Sequence, residues 1–319
     1  MLSITPRTKS LLEVYLCGVN GRPARPSSKP RRFGDIRPAL VIHLCLDVIS
    51  FDFGASEQTE LDHVSRTWPA VHLIYIMRFT SHDRLFALTG SGISAESGLA
   101  TFRGSGGLWN GYRVEEVATP EAWHANPELV WHFYSMRRRD ALSAEPNAAH
   151  LALAEIEQKL GDRFYLCTQN VDDLHERAGS RRIHHMHGTL FKSRCERCNE
   201  PFPDQDLYET AASLPHCPEC GTLIRPHIVW FGEEPLDMGQ IYAELNKATI
   251  LLVVGTSGSV YPAAGFVHVA KRLGIQTIYI GPEEPFNVDA FNEVVLGTAT
   301  EVLPLFLQPG ISTSQTPKR

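Results

Sequence analysis

Short apolar runs alternate with helical patterns along the chain from residue 84 onward. The runs are rich in β-branched and aromatic residues: RLFAL at 84–88, RFYLC at 163–167, TILLVVG at 249–255 and IQTIYIG at 275–281. Near-continuous apolar strands of this kind are typical of a parallel sheet that is covered on both faces. The pattern therefore predicts an α/β fold built on a parallel sheet.

Two helices are indicated between these runs. In PNAAHLALAEIEQKLG, Leu153, Ile156 and Leu160 recur at helical spacing, Pro146 is the candidate for the first helical position, and Gly161 ends the pattern. YPAAGFVHVAKRLG also has a proline near its start and a glycine after its last turn. Both segments are expected to cover the sheet.

Two segments interrupt this alternation and are interpreted as insertions. Residues 112–145 have a helical pattern, and residues 192–223 contain four cysteines. The sheet domain is therefore assigned to 84–111, 146–191 and 224–308. The helical insertion and the cysteine module form a smaller domain, and residues 309–319 are a C-terminal tail.

Residues 1–83 are interpreted as an N-terminal extension without sustained helical or strand periodicity. Up to Gly34 this segment carries seven basic residues against the single acid Glu13, a bias that would suit a transit peptide. A disordered tail and a start codon placed too early are the alternatives, since Met77 stands just before RLFALTG.

Composition narrows the class of protein. The 319 residues are 43% hydrophobic and 21% charged, with a formal net charge of −6, so neither nucleic acid nor an anionic membrane surface is expected as a partner. The seven cysteines are an odd number, and two C-x-x-C pairs account for four of them, which favours a reducing compartment. We expect a cytoplasmic monomer, or a mitochondrial protein if the basic N-terminus is a genuine targeting signal.

The two cysteine pairs predict a metal site. Cys195, Cys198, Cys217 and Cys220 give the spacing C-x2-C-x18-C-x2-C, at which two turns can present four thiolates to one zinc ion. Four thiolates leave no open coordination position, so this zinc would be structural. A redox dithiol is the alternative, but it needs only one pair and does not explain the second.

Polar and glycine-rich segments follow the predicted strands. TGSGISAESGLATFRG at 89–104 resembles a nucleotide loop, yet Gly90 and Gly92 do not continue into G-x-G-x-x-G, and the next glycine is Gly98. TQNVDD at 168–173 places polar side chains where parallel strands bind ligands, although one of them could instead cap a helix near Val171. His187 stands before Gly188 at the end of a further strand-like piece.

Six motifs in this order resemble the sirtuin family. They are the glycine loop, TQNVD, the pair His187 and Gly188, the four cysteines, RPHIVWFGE at 225–233 and GTSGSVYPAAG at 255–265. The resemblance covers about residues 84–307. It implies a variant Rossmann domain that binds NAD, and a reaction that breaks the bond between nicotinamide and ribose. This accounts for the unusual glycine spacing, because NAD here is not a hydride carrier.

The resemblance also implies the NAD-binding residues. Residues 90–92 would let the backbone approach the pyrophosphate beside a helix N-terminus, and Phe102 and Arg103 would cover the nicotinamide end. Gln169 and Asn170 would contact the reacting ribose, and Asp172 would hold the carboxamide. The complete implied set is Gly90, Ser91, Gly92, Ile93, Glu96, Phe102, Arg103, Gln169, Asn170, Val171, Asp172, Gly255, Thr256, Ser257, Gly281 and Ala299.

The implied reaction removes an acyl group from a lysine side chain of a protein. The acyl oxygen attacks C1′ of the ribose, nicotinamide leaves, and an alkylamidate forms. His187 then acts as general base on a ribose hydroxyl, and the products are lysine, nicotinamide and O-acyl-ADP-ribose. Asn170 and Asp172 complete the implied catalytic set. The peptide would pair its backbone with the chain at Val229, Trp230, Phe231 and Gly232.

The helical insertion contains a candidate acyl-specificity pair. Tyr134 and Arg137 are three residues apart and share one helical face. This Y-x-x-R resembles the signature of sirtuins that accept acidic acyl groups, such as succinyl and malonyl, and a guanidinium can bind a carboxylate through two hydrogen bonds. The alternative is that Arg137, Arg138 and Arg139 are a solvated basic run near a helix end.

Three positions depart from the family pattern. Ser91 replaces the usual alanine, Ala100 replaces the common proline, and Gly281 stands where the family often has asparagine near the adenosine ribose. Reduced NAD affinity is therefore expected from Gly281.

Two other classes of protein share parts of the pattern. A conventional Rossmann oxidoreductase would need the standard glycine spacing and an acidic ribose ligand about 20 residues further on. A non-catalytic module that reads acyl-lysine or ADP-ribose would bind its ligand without turnover.

Overall fold

A six-stranded sheet, in which every pair of neighbouring strands runs parallel, forms the centre of the fold. The computed structural model of the chain describes residues 77, 79–101, 108–109 and 111–307. In chain order its strands are β1 Leu85–Thr89, β2 Leu108–Trp109, β3 Tyr112–Arg113, β4 Phe164–Thr168, β5 Ile183–His185, β6 Gly188–Cys195, β7 Pro201–Pro203, β8 Ile224–Ile228, β9 Ile250–Val254, β10 Gln276–Gly281 and β11 Glu293–Leu296. The predicted α/β fold with a parallel sheet is confirmed.

The strand order of this sheet, β11-β10-β9-β1-β4-β5, reverses beside β1. After β1 the chain adds β4 and β5 on one side, and it then returns to add β9, β10 and β11 on the other. Leu85 of β1 is in register with Phe164 of β4 and with Ile250 of β9, so the ends of these strands are level. The loops that leave β1 and β9 therefore diverge at a switch point, where open α/β sheets bind ligands.

Helices cover both faces of the large sheet. In chain order the described α-helices are α1 Val114–Val117, α2 Pro120–Ala125, α3 Pro127–Ser143, α4 Ala148–Leu160, α5 Leu174–Arg177, α6 Met238–Lys247, α7 Phe266–Arg272 and α8 Ala299–Phe306. On one face α4 and α8 pack against Leu85 and Ala87, and on the other α6 and α7 pack against Phe86 and Leu88. Burial on both faces explains why residues 85–88 of β1 are all apolar.

Helix α4 starts later than its sequence indicates. The prediction that Pro146 takes the first helical position is wrong, because α4 begins at Ala148. Asn147 is the N-cap, since its side-chain oxygen accepts hydrogen bonds from the N–H groups of Ala149 and His150. The glycine predicted to end the helix does so, and the three positions predicted to face inward are buried.

The helical insertion and the cysteine module share one hydrophobic core and form a single smaller domain. Its sheet is antiparallel, with the strand order β7-β6-β8. Trp123 and Trp131 of the helices pack in this core with Leu190, Ile224 and Trp230. The predicted smaller domain, made of a helical insertion and a cysteine module, is confirmed.

The boundary of the smaller domain differs from the predicted one at two places. Residues 188–191 and 224–228 were assigned to the parallel sheet by their position along the chain, but they belong to β6 and β8 of the small sheet. The apolar pattern of a strand shows that it is buried and does not show which sheet it joins. Strand β6 therefore leads the chain from the large sheet into the cysteine module, and β8 leads it back.

Arg138 ties helix α3 to the cysteine module. Its fully buried guanidinium donates hydrogen bonds to the carbonyl oxygens of Leu190 (2.6 Å) and Asp206 (2.5 Å), to Ser193 Oγ (3.0 Å) and to the Asp204 carboxylate (3.2 Å). A buried cation is tolerated only when its donors are paired in this way. Arg138 therefore fixes the orientation of α3 against the module.

The four cysteines form the predicted zinc site. Their sulfurs all lie within 4.8 Å of one another, with Sγ–Sγ distances of 3.4 Å between Cys195 and Cys220, 3.6 Å between Cys198 and Cys220, and 3.9 Å between Cys198 and Cys217. A tetrahedron with Zn–S bonds of about 2.3 Å has edges of about 3.8 Å, which these distances fit. A zinc ion bound by the four cysteines would hold the end of the smaller domain together, because Cys195 and Cys217 are part of the core of that domain.

Among the described residues, every helix is too short or too polar to cross a membrane.

Removal of one zinc ligand should loosen the smaller domain. We expect Cys198→Ser to lose bound zinc and to lower the free energy of unfolding by about 3–5 kcal/mol, a fall in Tm of roughly 10 °C. Metal analysis of the purified protein and thermal denaturation measure the two effects. Cys167→Ala is the control, since Cys167 lies in β4, away from the cluster, and its variant should keep one zinc per chain. Full zinc retention by the Cys198 variant would contradict the site.

Candidate active site

A cavity of about 1160 Å³, including its open mouth, lies where β1, β4 and β9 end and meet the smaller domain. It brings together most of the predicted site residues. Those that line it are Gly90, Ser91, Gln169, Asn170, Val171, Asp172, His187, Thr256, Ser257, Tyr134, Arg137, Val229, Trp230, Phe231 and Gly232. The cavity thus brings together residues that are distant along the sequence.

Of the predicted cofactor residues that the structure describes, Gly92, Ile93, Glu96, Gly255, Gly281 and Ala299 are not among those that line the cavity. The side chains of Ile93 and Ala299 are buried in the core under the large sheet, so only their backbone atoms could face a ligand. The Glu96 carboxylate accepts a hydrogen bond from the N–H of Thr300 at 3.3 Å, which joins the glycine loop to the start of α8. Phe102 and Arg103 lie outside the described residues.

The glycines of the first loop permit a close backbone contact. A Cβ atom at Gly90 would lie 2.8 Å from Gly255 O, one at Gly92 would lie 2.8 Å from Gly255 Cα, and one at Gly255 would lie 2.4 Å from Ile93 N. The Gly92 N–H donates to Gly255 O at 2.8 Å, and Gly255 has a φ of 64°. The loop after β9 therefore occupies the space that side chains at positions 90 and 92 would need, so both positions must be glycine.

The helix predicted after Gly90 is a 3-10 helix, Ser91–Ser97. Three residues per turn give a tighter coil, which ends at Gly98 with a φ of 90°. The helix predicted near Val171 is also displaced, because α5 begins at Leu174. Asp172 Oδ1 accepts a hydrogen bond from the N–H of Leu174 at 3.2 Å, so this carboxylate serves the turn that precedes the helix.

Ser94 connects the polar side chains of the cavity, and nothing in the sequence singles it out beyond its place in the glycine loop. The buried Ser94 hydroxyl accepts a hydrogen bond from Asn170 Nδ2 at 3.0 Å and donates to Asp172 Oδ2 at 3.2 Å. Behind it, His150 Nε2 lies 3.4 Å from Ser94 Oγ. Ser94 therefore fixes the directions of the two side chains implied to bind the ribose and the carboxamide.

Burial shifts the pKa of the Asp172 carboxyl. It raises the pKa of this carboxyl above its ordinary value, while hydrogen bonds from the Leu174 N–H and the Ser94 hydroxyl, and the charges of His185 and Arg137, oppose the shift. A carboxyl in such surroundings can accept a hydrogen bond from an amide, as the implied contact with nicotinamide requires.

His187 presents one ring nitrogen to the cavity. Its Nδ1 lies 3.2 Å from the carbonyl oxygen of Gln169, and since a carbonyl only accepts, Nδ1 carries the proton. In the neutral ring Nε2 then has the free lone pair. Burial lowers the pKa of His187 below 6.5, and the hydrogen bond to Gln169 offsets only part of this shift. His187 is therefore a neutral base at neutral pH.

Tyr134 is held by the small domain with its hydroxyl toward the cavity. Trp230 Nε1 donates to the Tyr134 hydroxyl at 3.0 Å, and Arg225 lies 3.4 Å above the Trp230 ring. Arg225 in turn donates to both oxygens of Glu233, at 2.7 and 2.9 Å. Burial raises the pKa of the Tyr134 phenol well above its ordinary value, so its proton remains for a ligand acceptor.

The three consecutive arginines of α3 have different surroundings. Arg137 is 7% exposed and lines the cavity, Arg138 is fully buried against the cysteine module, and Arg139 is exposed and paired with Glu209. The interpretation of a solvated basic run is therefore wrong for the first two. Burial lowers the pKa of Arg137, but an arginine of this kind stays charged at neutral pH.

Gly281 is explained by a neighbour in its own strand. A Cβ atom there would lie 2.2 Å from the Tyr279 hydroxyl, whose proton is donated to the Glu283 carbonyl oxygen at 3.0 Å. An asparagine at this position would displace Tyr279. The expected reduction of NAD affinity stays a prediction.

Comparison with known proteins identifies the family. Residues 90–262 match the Sir2 family. NAD-dependent protein deacylases of Caulobacter vibrioides and of Escherichia coli strain K12 are each 50% identical to this chain, over 228 and 227 residues. Each match covers 70% of this chain, and the matches cover 95% and 81% of the two relatives.

Solved structures agree with this result. A Sir2 homologue in complex with NAD is 43% identical and has a TM-score of 0.65, with 70% of this chain and 88% of that chain covered. A Sir2 protein with a deacetylated p53 peptide and 3′-O-acetyl-ADP-ribose is 30% identical and has a TM-score of 0.62, with 69% and 90% covered.

The named relatives are deacylases, and none of them is an oxidoreductase or a non-catalytic binding module. NAD is the co-substrate, acylated peptides are the substrates, and the acyl group leaves as O-acyl-ADP-ribose. The chain belongs to the Sir2 family of NAD-dependent protein deacylases, the sirtuins.

Proposed function

We propose that this deacylase removes acyl groups that end in a carboxylate, such as succinyl and malonyl, in preference to acetyl. The observation that carries this proposal is that Arg137 and Tyr134 line the same cavity as His187. A guanidinium can bind a carboxylate through two parallel hydrogen bonds, and the phenol can donate a third. A buried cation in a site of low dielectric favours an anion over a methyl group.

The supports of the two side chains favour a fixed pocket. Trp230 holds the Tyr134 hydroxyl, and the bonds of Arg138 hold the helical turn that carries Arg137. The Tyr134 side chain does not have to be ordered when the acyl group binds, and Arg137 starts from a fixed backbone position, so less conformational entropy is lost. Preorganised donors of this kind discriminate strongly against a substrate that lacks the matching acceptor.

We infer that the peptide backbone pairs with residues 229–232. The N–H groups of Val229, Trp230 and Phe231 already donate inside the protein, to His187 O, to the Glu233 carboxylate and to Ala118 O. Within the described residues, the Gly232 N–H and the Val229 carbonyl have no such bond. These two groups are placed to receive an extended strand at the mouth of the cavity.

His187 is proposed to act as general base through Nε2. Bound NAD supplies the ADP-ribose to which the acyl group is transferred, with release of nicotinamide. The bond from Nδ1 to Gln169 O sets the tautomer, and the lowered pKa keeps Nε2 free to take a proton from a ribose hydroxyl. Asn170 and Asp172, oriented by Ser94, are proposed to bind the ribose and the carboxamide.

The predicted domain boundaries, apart from the two corrected strands, also stay proposals. So do the monomeric state, the cytoplasmic location and the absence of a nucleic-acid or membrane partner.

Loss of the Arg137 guanidinium should change acyl preference. With peptides that differ only in their acyl group, we expect Arg137→Met to lower kcat/KM for succinyl-lysine by about 100-fold, because a paired charge contact of about 3 kcal/mol is lost. Acetyl-lysine removal should change by less than about threefold, since acetyl has no carboxylate. The deacylated peptide is measured by mass spectrometry.

Arg139→Met is the matched control. It removes the same charge from the same helix, but its side chain is exposed and paired with Glu209 outside the cavity. Both substrates should keep their rates in this variant. Equal losses for the two acyl groups in Arg137→Met would contradict the carboxylate pocket.

The pH dependence of the reaction should reflect the neutral state of His187. Protonation removes the Nε2 lone pair, so kcat/KM falls as the pH drops through the pKa of His187. Because burial lowers this pKa, we expect the acid inflection below pH 6.5. It is measured with an acetyl-lysine peptide, whose acyl group does not titrate.

His187→Ala should lose turnover at every pH while it keeps its fold. An acid inflection above pH 6.5, or a variant without His187 that keeps full turnover, would contradict the assigned base.

A further inference from the structure

His185 bridges the two ends of the segment that carries Asn170 and Asp172. It is the last residue of β5, in register with Thr168 at the end of β4. Its Nδ1 lies 3.0 Å from the carbonyl oxygen of Asn170, and its Nε2 lies 2.7 Å from Glu176 Oε1 on α5. The ring therefore joins the start of this polar segment to the helix that follows it.

The two partners determine the charge of the ring. A carbonyl oxygen only accepts hydrogen bonds, and an ionised carboxylate also only accepts. Each ring nitrogen must then donate, which requires a proton on both, so His185 is an imidazolium. A neutral ring could keep only one of the two bonds and would turn a lone pair toward the other oxygen.

The surroundings agree with a positive charge. The charges of Glu176 and Asp172 act on His185, and the buried His175, whose pKa is lowered so that its ring is neutral, lies near it. Burial alone would lower the pKa of His185, but the hydrogen bond and charge of Glu176, the Asn170 carbonyl and the charge of Asp172 raise it above 6.5. The side chain of His185 is 14% exposed, so solvent screens this pair only in part.

His187, two residues further on, has the opposite state for the same kind of reason. Its ring has one carbonyl partner, at Gln169, and its other nitrogen faces the cavity. His187 thus bonds to the Gln169 carbonyl as a neutral ring, and His185 bonds to the Asn170 carbonyl as a cation. The two charge states differ because the His187 ring has one hydrogen-bond acceptor beside it and the His185 ring has two.

We propose that His185 is a positioning residue of the deacylation site, which as an imidazolium bonded to Asn170 O and Glu176 holds segment 169–172 in its working geometry, and which releases that segment when it loses a proton at alkaline pH. The proposal rests on the function proposed above, because it assigns the regulation of the same site. His185 touches no reacting atom and acts through the backbone of Asn170.

The alkaline limb of the pH profile tests this proposal. We expect kcat/KM of the wild type, measured on an acetyl-lysine peptide between pH 6 and 10, to fall as His185 loses its proton. In Glu176→Gln the carboxylate partner is gone, so this fall should move to lower pH by at least about one unit. In His185→Gln, which keeps an amide donor but cannot titrate, the fall should be absent.

His184→Gln is the matched control. His184 is the neighbouring residue of β5, and its ring nitrogen Nε2 meets only the carbonyl oxygen of Leu236, at 3.2 Å, away from segment 169–172. This variant should keep the wild-type alkaline limb. A purely structural role of His185 would lower the rate equally at all pH values and leave the limb in place, which would overturn the proposal.

An NMR titration of the histidine ring separates this inference from the proposed function. We expect the His185 ring of the wild type to titrate above pH 6.5 and to move down in Glu176→Gln. A midpoint at or below pH 6.5 in the wild type, or identical alkaline limbs in wild type and Glu176→Gln, would overturn it. Failure of the wild type to turn over any acyl peptide would instead contradict the proposed function, and the NMR result would still decide the state of His185.

Discussion

The backbone contact between the loops after β1 and β9 is the constraint on which the site depends. Gly90, Gly92 and Gly255 touch along main-chain atoms, and no side chain larger than hydrogen fits among them. The residues beside this contact, Ser91, Thr256 and Ser257, line the cavity. The contact also places Ser94, one turn further along, against Asn170 and Asp172. The glycine spacing that fails to match a hydride-transfer fingerprint thus has a packing reason of its own.

Hydrogen-bond partners, more than burial alone, decide the chemistry of the polar groups. A carbonyl on one side of His187 selects its tautomer, and a hydroxyl shared by Asn170 and Asp172 fixes both side chains. The same logic holds in the smaller domain, where Trp230 donates to Tyr134 and leaves the phenol as a donor toward the cavity. In each case one hydrogen-bond partner determines whether the group donates or accepts toward the cavity, or in which direction its side chain points.

The sequence predicted what depends on periodicity and spacing. Apolar runs located β1, β4, β9 and β10, and the spacing of four cysteines located the zinc site. It could not assign β8 to the small sheet, because pairing is decided by contacts distant along the chain. It placed the start of α4 at Pro146, but the helix begins two residues later, because the Asn147 side chain accepts hydrogen bonds from the N–H groups of Ala149 and His150 and is the N-cap. Ser94 has no pattern of its own, since its importance arises only when β1 and β4 lie side by side.

Two successive residues of helix α3 have different surroundings, the cavity and the cysteine module. Arg137 faces the cavity, and Arg138, about 100° further around the helix, is locked by four hydrogen bonds to the cysteine module. The helix therefore cannot rotate to widen or narrow the cavity without separating the buried Arg138 guanidinium from its hydrogen-bond partners. The backbone that presents residue 137 to the cavity is therefore held in place from the other side of the helix, and the lining of the cavity at this point depends on which side chain stands there.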